Sequence, residues 1–197
     1  MLPEPVAVTL LVIQALDALD VPYLIGGSLA SAVHGVARAT MDTDLVADLR
    51  SEHAQPLAQA LADAFYVDVE SIQDAIRRHS SFNVIHLEMM FKVDVFVRKQ
   101  RPFDQAQCDR RVAQVIATEP ERTAYVASAE DTVLAKLEWF RMGGEVSERQ
   151  WRDVLGVLKV QGERLDRDYL RRWAQTLKVG DLLERALNEA GQGAENG

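Results

Sequence analysis

The hydrophobic pattern of the sequence changes near residue 127, and this change constrains the fold more than any other feature. Before it, short apolar or alternating segments are mixed with helical ones, which indicates strands and helices. After it, helical periodicity continues at roughly 129–142, 148–160, 166–177 and 181–190. This order predicts an α+β fold in which a mixed β-sheet flanked by helices is followed by a C-terminal helical region.

The division into regions follows from the same pattern. We expect a sheet-containing core over residues 1–127, a helical region over 128–190, and a flexible tail over 191–197, which is rich in Gly, Ala, Glu and Asn. Hydrophobic residues make up 48% of the 197 residues, close to the usual value for globular proteins. The chain can therefore bury a core of its own.

Within the first region, the pattern predicts individual elements. Strands are expected at 23–25, 43–49, 66–69, 82–87 and 91–97, and helices at 4–19, 29–34 and 52–64. The short break Glu88-Met89-Met90 predicts that the last two strands form an antiparallel hairpin.

Charge, cysteine content and hydropathy exclude several classes of protein. A net charge of −8 disfavours broad binding to a nucleic-acid backbone, and the four short basic clusters are interpreted as solvated surface. Cys108 is the only cysteine, which excludes an internal disulfide and a cysteine zinc site. No apolar run approaches the about 20 residues of a membrane span, and no secretory signal is recognisable, so we expect a cytoplasmic protein without a membrane partner.

Three aspartates are the candidate metal ligands. Asp42 and Asp44 begin a predicted strand, so both carboxylates point to one face. Asp94 lies between two valines of a later strand, where a carboxylate needs a partner or a metal. If the strands are neighbours, the three carboxylates converge on a site suited to Mg²⁺, which uses one or two carboxylates plus substrate phosphates. Asp94 could bind a second metal ion or take a proton from an attacking hydroxyl.

The turn Gly26-Gly27-Ser28 is the candidate phosphate site. Backbone N–H groups at a helix start attract anions, glycines allow phosphate to approach, and Ser28 can cap the helix and add a donor. Each motif also has a structural interpretation: Asp42 and Asp44 as turn or capping residues, the diglycine as an ordinary turn, and Asp94 as a hydrogen-bonded core residue. The histidines are expected to lie at the surface or to pack, and the tryptophans to pack the helical region, rather than to bind ligands.

The order of these motifs resembles the nucleotidyltransferase superfamily, which shares the fold of DNA polymerase beta. That family carries Gly-Gly/Ser, a short spacer and then Asp-x-Asp. The sequence is most similar to AbiEii-like and minimal bacterial nucleotidyltransferases, in which a Gly-Gly-Ser turn, an Arg-x-Thr-x-Asp-x-Asp run and a later lysine recur. The matching residues here are Gly26, Gly27, Ser28, Arg38, Thr40, Asp42, Asp44 and Lys136.

The resemblance implies an activity and further site residues. It implies Mg²⁺-dependent transfer of a nucleoside monophosphate from a nucleoside triphosphate to an acceptor hydroxyl, with release of pyrophosphate. Arg38 would brace Asp42 or contact phosphate, and Thr40 would support the same loop. By resemblance, Lys136 and Asp153 complete the site from two helices. Gly156 departs from relatives that often carry a second acidic residue there.

The acceptor and the alternatives remain open at the level of sequence. The ends of transfer RNA, a protein hydroxyl and a small antibiotic-like molecule offer the same nucleophile. A second hypothesis is a catalytically inactive binding module with this fold, such as a toxin–antitoxin component with an antitoxin partner. A third, weaker hypothesis uses Asp-x-Asp for sugar-nucleotide transfer.

Overall fold

A computed structural model describes residues 4–37 and 42–192 of the chain. The described residues form two compact units. The sheet unit contains residues 4–29 and 42–126, and the helical unit contains residues 30–37 and 127–192. Each unit has its own buried core.

The sheet unit is built on seven strands whose order in the sheet is β3-β4-β5-β2-β1-β7-β6. The elements from the first helix to the last strand are, in chain order, α1 (Glu4–Ala18), β1 (Tyr23–Ile25), α2 (Gly27–His34), β2 (Asp42–Ala47), α3 (Ala54–Leu61), β3 (Phe65–Tyr66), α4 (Val69–Arg78), β4 (Ser81–His86), β5 (Lys92–Val97), α5 (Pro102–Asp109), β6 (Val112–Thr118) and β7 (Glu121–Val126). Parallel pairs join β2 to β5 and β1 to β7, while the other neighbours are antiparallel. The sheet is therefore mixed, as predicted, and the predicted β4–β5 hairpin is confirmed.

The helical unit contains α6 (Ala129–Met142), α7 (Glu148–Gln161), α8 (Arg167–Thr176) and α9 (Gly180–Gln192). The second half of α2, from residue 30, belongs to this unit. Three of these helices start at a side-chain cap, because Ser128, Ser147 and Asp166 each accept a hydrogen bond from a backbone N–H in the first turn. Together with the mixed sheet, these helices confirm the predicted α+β architecture. Helix α9 includes residues 191 and 192 of the predicted tail, whose last five residues lie outside the described part.

The core of the sheet unit lies on one face of β2 and β5. Alternate residues of β2 (Thr43, Leu45, Ala47) and of β5 (Val93, Val95, Val97) are buried. Helix α1 packs on this face, and the hydroxyl of Thr9 donates a hydrogen bond to that of Thr43 at 3.0 Å. Because side chains alternate along a strand, the intervening residues of β2 and β5 point to the opposite face.

The strand predicted at 66–69 is present only as Phe65–Tyr66, so its predicted extension to residue 69 is wrong. The strand ends at Tyr66, and Asp68 caps helix α4 by accepting hydrogen bonds from the backbone N–H groups of Glu70 (3.3 Å) and Ser71 (2.9 Å). A capping aspartate satisfies N–H groups that a helix start leaves without an intrahelical partner. The sequence feature that indicates the start of α4 is therefore the capping residue Asp68.

Helix α5 and strands β6 and β7 were not predicted from the sequence. Strands β6 and β7 pair with each other at one edge of the sheet, and only two residues of β7, Ala124 and Val126, are buried. Such an edge pair has a weak hydrophobic pattern, because few of its side chains face a core. None of the helices in the described part of the chain has the length and apolar character that a membrane crossing requires.

Candidate active site

Strands β2 and β5 bring the three predicted carboxylates to one face of the sheet. Their parallel register places Asp44 opposite Asp94 and Asp42 opposite Lys92. All four residues are partly exposed, whereas the residues between them are buried. Neighbouring strands are about 4.8 Å apart, so carboxylates paired in this register are close neighbours. We call Asp42, Asp44 and Asp94 the acidic face.

The diglycine bend lies directly against this face. The backbone N–H of Gly26 donates a hydrogen bond to the backbone carbonyl of Asp44 at 2.9 Å. Gly27 has a φ of +53°, and a Cβ atom added there would lie 1.7 Å from Oδ2 of Asp44. Both the backbone conformation and the space beside the carboxylate therefore require glycine at position 27. The bend and Asp44 form one tightly packed arrangement.

Replacing Gly27 by alanine should reduce the free energy of unfolding by about 2–4 kcal/mol, because the methyl group strains the backbone and displaces the Asp44 carboxylate. The matched control is Gly26→Ala, where the added Cβ has its nearest contact at 3.9 Å, with the carbonyl oxygen of Asp44. Urea unfolding followed by circular dichroism measures both variants. Equal stability of the two would contradict the tight contact at Gly27.

The other predicted phosphate-binding residues are only partly described. Helix α2 begins at Gly27, so Ser28 lies inside its first turn and is not the capping residue that the sequence suggested. The prediction that Ser28 caps this helix is therefore wrong, although its position in the first turn agrees with a role near an anion. Arg38 and Thr40 lie outside the described residues.

Lys92 is a charged residue of this face that sequence analysis missed. Its Nζ lies 2.6 Å from Oδ2 of Asp94, and the two side chains are 41% and 19% exposed. The hydrogen bond to Asp94 raises the pKa of Lys92, and the negative charges of Asp94, Asp42 and Asp44 raise it further. Partial burial of the ammonium lowers this pKa by a smaller amount than the hydrogen bond raises it. The signal was available, because Lys92 stands two residues before Asp94 and alternate strand residues share a face.

The chemistry of the acidic face fits a divalent cation. Carboxylate oxygens are the hard donors that Mg²⁺ prefers, and this ion commonly takes one or two of them together with substrate phosphates. Within residues 4–37 and 42–192, no group of three or more His, Cys, Asp or Glu side chains is arranged to enclose a metal ion. The acidic face therefore offers carboxylate donors of the kind that Mg²⁺ takes together with substrate phosphates, but the described side chains do not enclose an ion by themselves.

The predicted helical site residues are bound to each other. Nζ of Lys136, on α6, lies 2.9 Å from Oδ2 of Asp153, on α7, and the side chains are 10% and 8% exposed. This nearly buried ion pair connects the two helices of the helical unit. It provides a structural role for both residues.

Other residues of the helical unit also make structural contacts. Asp131 is fully buried and accepts hydrogen bonds from the hydroxyls of Ser128 (2.9 Å) and Tyr169 (2.7 Å). A Cβ added at Gly35 would lie 2.9 Å from the backbone nitrogen of Val157 and 3.0 Å from the carbonyl carbon of Gly156. The segment after α2 therefore packs on the backbone of α7 beside Gly156.

Trp151 and His34 pack within the helical unit as expected, whereas Trp139 is 48% exposed, so the expectation that it packs is wrong. The indole N–H of Trp151 donates a hydrogen bond to the carboxylate of Glu189 at 2.8 Å. The indole ring also packs against the ring of Phe140, and the guanidinium of Arg185 lies over its face. The buried His34 is hydrogen-bonded through Nε2 to the carbonyl of Ala127 at 2.6 Å. These contacts explain the positions of Trp151 and His34 without a bound ligand.

Comparison with solved structures identifies the fold as that of nucleotidyltransferases. The crystal structure of an antigenic nucleotidyltransferase-like protein from Paracoccidioides brasiliensis is 19% identical, with 91% of each chain covered and a TM-score of 0.54. The crystal structure of ANT(2'')-Ia in complex with adenylyl-2''-tobramycin is 13% identical, with 87% of this chain and 97% of that chain covered and a TM-score of 0.58.

The solution structure of ANT(2'')-Ia, an antibiotic-resistance factor, is 13% identical over 96% of each chain, with a TM-score of 0.55. No protein-family model matches the sequence, and no curated protein matches it by sequence. The likeness is therefore one of fold, and the narrower resemblance to AbiEii-like and minimal bacterial enzymes stays a prediction.

Proposed function

We propose that this chain, which has a nucleotidyltransferase fold, is a magnesium-dependent nucleotidyltransferase. It moves a nucleoside monophosphate from a nucleoside triphosphate to an acceptor hydroxyl. The observation that carries the proposal is the contact between the diglycine bend and Asp44. Asp44 itself is the register partner of Asp94 in the parallel pair of β2 and β5. A phosphate-binding turn and paired carboxylates beside each other are what nucleotidyl transfer requires.

The reaction is an in-line displacement at the α-phosphorus. The acceptor oxygen forms a bond to this phosphorus, the bond to the bridging oxygen breaks, and pyrophosphate leaves with the electron pair. The hydroxyl proton passes to solvent. A divalent cation, when bound, supplies positive charge beside the phosphate oxygens.

The residues of the chain would bind and orient the reactants. Asp42 and Asp44 would hold the cation, and Asp94 would complete its ligand set. The bend of Gly26 and Gly27 with Ser28 holds the triphosphate through backbone N–H groups and a hydroxyl. Positioning and charge stabilisation of this kind account for most of the rate enhancement in phosphoryl-group chemistry.

Four further residues have subsidiary roles in the proposal. By the resemblance, Arg38 would brace Asp42 and Thr40 would support the same loop. The resemblance likewise implies that Lys136 would neutralise charge that develops on the phosphates and that Asp153 would orient Lys136. The ion pair between Lys136 and Asp153 supports the orienting role of Asp153.

The acceptor in this reaction is any group that presents a hydroxyl. A ribose hydroxyl of transfer RNA, a protein hydroxyl and a small molecule are all compatible with the chemistry. The complex of ANT(2'')-Ia with adenylyl-2''-tobramycin supports including aminoglycosides among the small molecules tested. An antitoxin partner remains part of the alternative hypothesis of an inactive binding module.

A label-transfer screen tests the proposed function. The purified chain is incubated with each α-³²P-labelled nucleoside triphosphate, Mg²⁺, and pools of cellular RNA, protein or aminoglycosides. We expect a labelled product and released pyrophosphate, and we expect removal of the cation with EDTA to abolish both.

Two outcomes would oppose the proposal. A product that forms equally well in EDTA would contradict the role of the cation. Magnesium-dependent nucleotide binding without product in any pool would favour the inactive binding module instead.

A further inference from the structure

Lys92 lies among the three carboxylates that the proposed function assigns to the cation. It shares strand β5 with Asp94, two positions away on the same face, and it is the register partner of Asp42 on β2. Its ammonium contacts Asp94 at 2.6 Å. A basic side chain thus already balances part of the negative charge where a divalent cation would bind.

Positive charge between the three carboxylates is electrostatically favourable. Three carboxylates on neighbouring strands repel one another, and the repulsion is stronger beside a protein core than in water. The ammonium of Lys92 relieves this repulsion in the absence of a metal ion. A divalent cation would have to compete with it for the oxygen of Asp94.

The exposure of the Lys92 side chain allows its ammonium to move away from Asp94. Its side chain is 41% exposed, which is far more than the side chain of Asp94, at 19%. Lysine carries a compact charge on a flexible four-carbon stem, so it can turn toward solvent or toward a phosphate without moving the strand. Arginine, with its rigid fork, would be harder to displace from a carboxylate.

We propose that Lys92 is a resident counter-ion that competes with the divalent cation for Asp94 and lowers the cation affinity of the nucleotide-free site. Nucleotide phosphates then provide the released ammonium with new partners. Cation and nucleotide consequently bind cooperatively, since each favours the state in which Lys92 has left Asp94. This inference rests on the proposed function, because it assumes that the acidic face is the cation site.

Mn²⁺ binding tests the inference without any reaction. Binding of Mn²⁺ to the full chain is followed by electron paramagnetic resonance, with and without a non-hydrolysable nucleoside triphosphate analogue. We expect Lys92→Met to tighten Mn²⁺ binding to the nucleotide-free protein about five- to thirtyfold, by removing a nearby positive charge. We also expect the variant to reduce the gain in affinity that the nucleotide analogue produces.

Three further variants make the test specific. Lys99→Met removes an exposed lysine of the same unit and should leave Mn²⁺ binding unchanged. Lys92→Arg keeps the charge and should bind Mn²⁺ no more tightly than the wild type. In an Asp94→Asn background, Lys92→Met should produce a smaller gain, because the contact through which it acts has been removed.

The outcomes separate this inference from the proposed function. If Lys92→Met binds Mn²⁺ as the wild type does, or more weakly, Lys92 is not a competitor and the inference is wrong. If Asp44→Asn binds Mn²⁺ as tightly as the wild type, the acidic face is not the cation site and the proposed function itself fails. Lys92→Gln, judged by the same criteria, replaces Lys92→Met if that variant does not fold.

Discussion

Replacing Asp44 by asparagine is expected to slow nucleotidyl transfer about 10²- to 10³-fold, the usual effect of losing one charge-stabilising group in an active site. Asparagine has the same shape as aspartate, so it can keep the contact with Gly27 while removing the negative charge. The loss weakens cation binding at the acidic face. Single-turnover rates of label transfer at saturating nucleotide measure the effect.

Asp63→Asn is the matched control for this variant. Asp63 is an exposed aspartate of the sheet unit, in the turn after α3. Its replacement should leave the rate unchanged, and both variants should unfold at the wild-type urea concentration. A rate for Asp44→Asn that equals the rate for Asp63→Asn would remove Asp44 from the proposed mechanism.

Replacing Lys136 by methionine should lower the free energy of unfolding by about 3–5 kcal/mol, because it leaves the carboxylate of Asp153 nearly buried without its cation. This is a large share of the about 5–15 kcal/mol that stabilises a typical protein. Urea unfolding measures the change. Arg77→Met, which breaks an exposed pair with Asp74, is the control and should change stability by less than about 1 kcal/mol.

The double variant Lys136→Met/Asp153→Leu separates structure from catalysis. Replacing both charges by apolar groups of similar size commonly restores stability, since no buried charge is left unpaired. A stable double variant that has lost label transfer would support the proposed catalytic role of Lys136. A stable and fully active one would restrict the pair to holding α6 against α7.

Elements could be predicted from the sequence where a segment buries many apolar residues in a regular pattern. The helices after residue 127 were predicted because apolar residues recur at helical spacing over ten or more positions, and two of them follow capping serines. Helix α4 was not predicted, because the apolar pattern of the preceding strand continues to Val69 past the capping Asp68. Strands β6 and β7 were missed because their pairing at the sheet edge leaves little hydrophobic pattern in either strand.

The candidate site was predictable to the extent that it depends on strand alternation. Asp42 and Asp44 point to one face because they are two positions apart, and the same reasoning places Lys92 with Asp94. Alternation does not reveal which strands are neighbours. The pairing of Asp44 with Asp94 required the parallel register of β2 and β5, which joins segments about fifty residues apart.

Local sequence was sufficient to predict the α+β architecture, the acidic residues and the diglycine turn, because periodicity and backbone preferences act over a few neighbouring residues. The contact of Gly27 with Asp44, the ion pair of Lys92 with Asp94, and the buried pair of Lys136 with Asp153 emerged only from the folded chain. These contacts depend on strand register and helix packing, which arise when distant segments bury their apolar faces together.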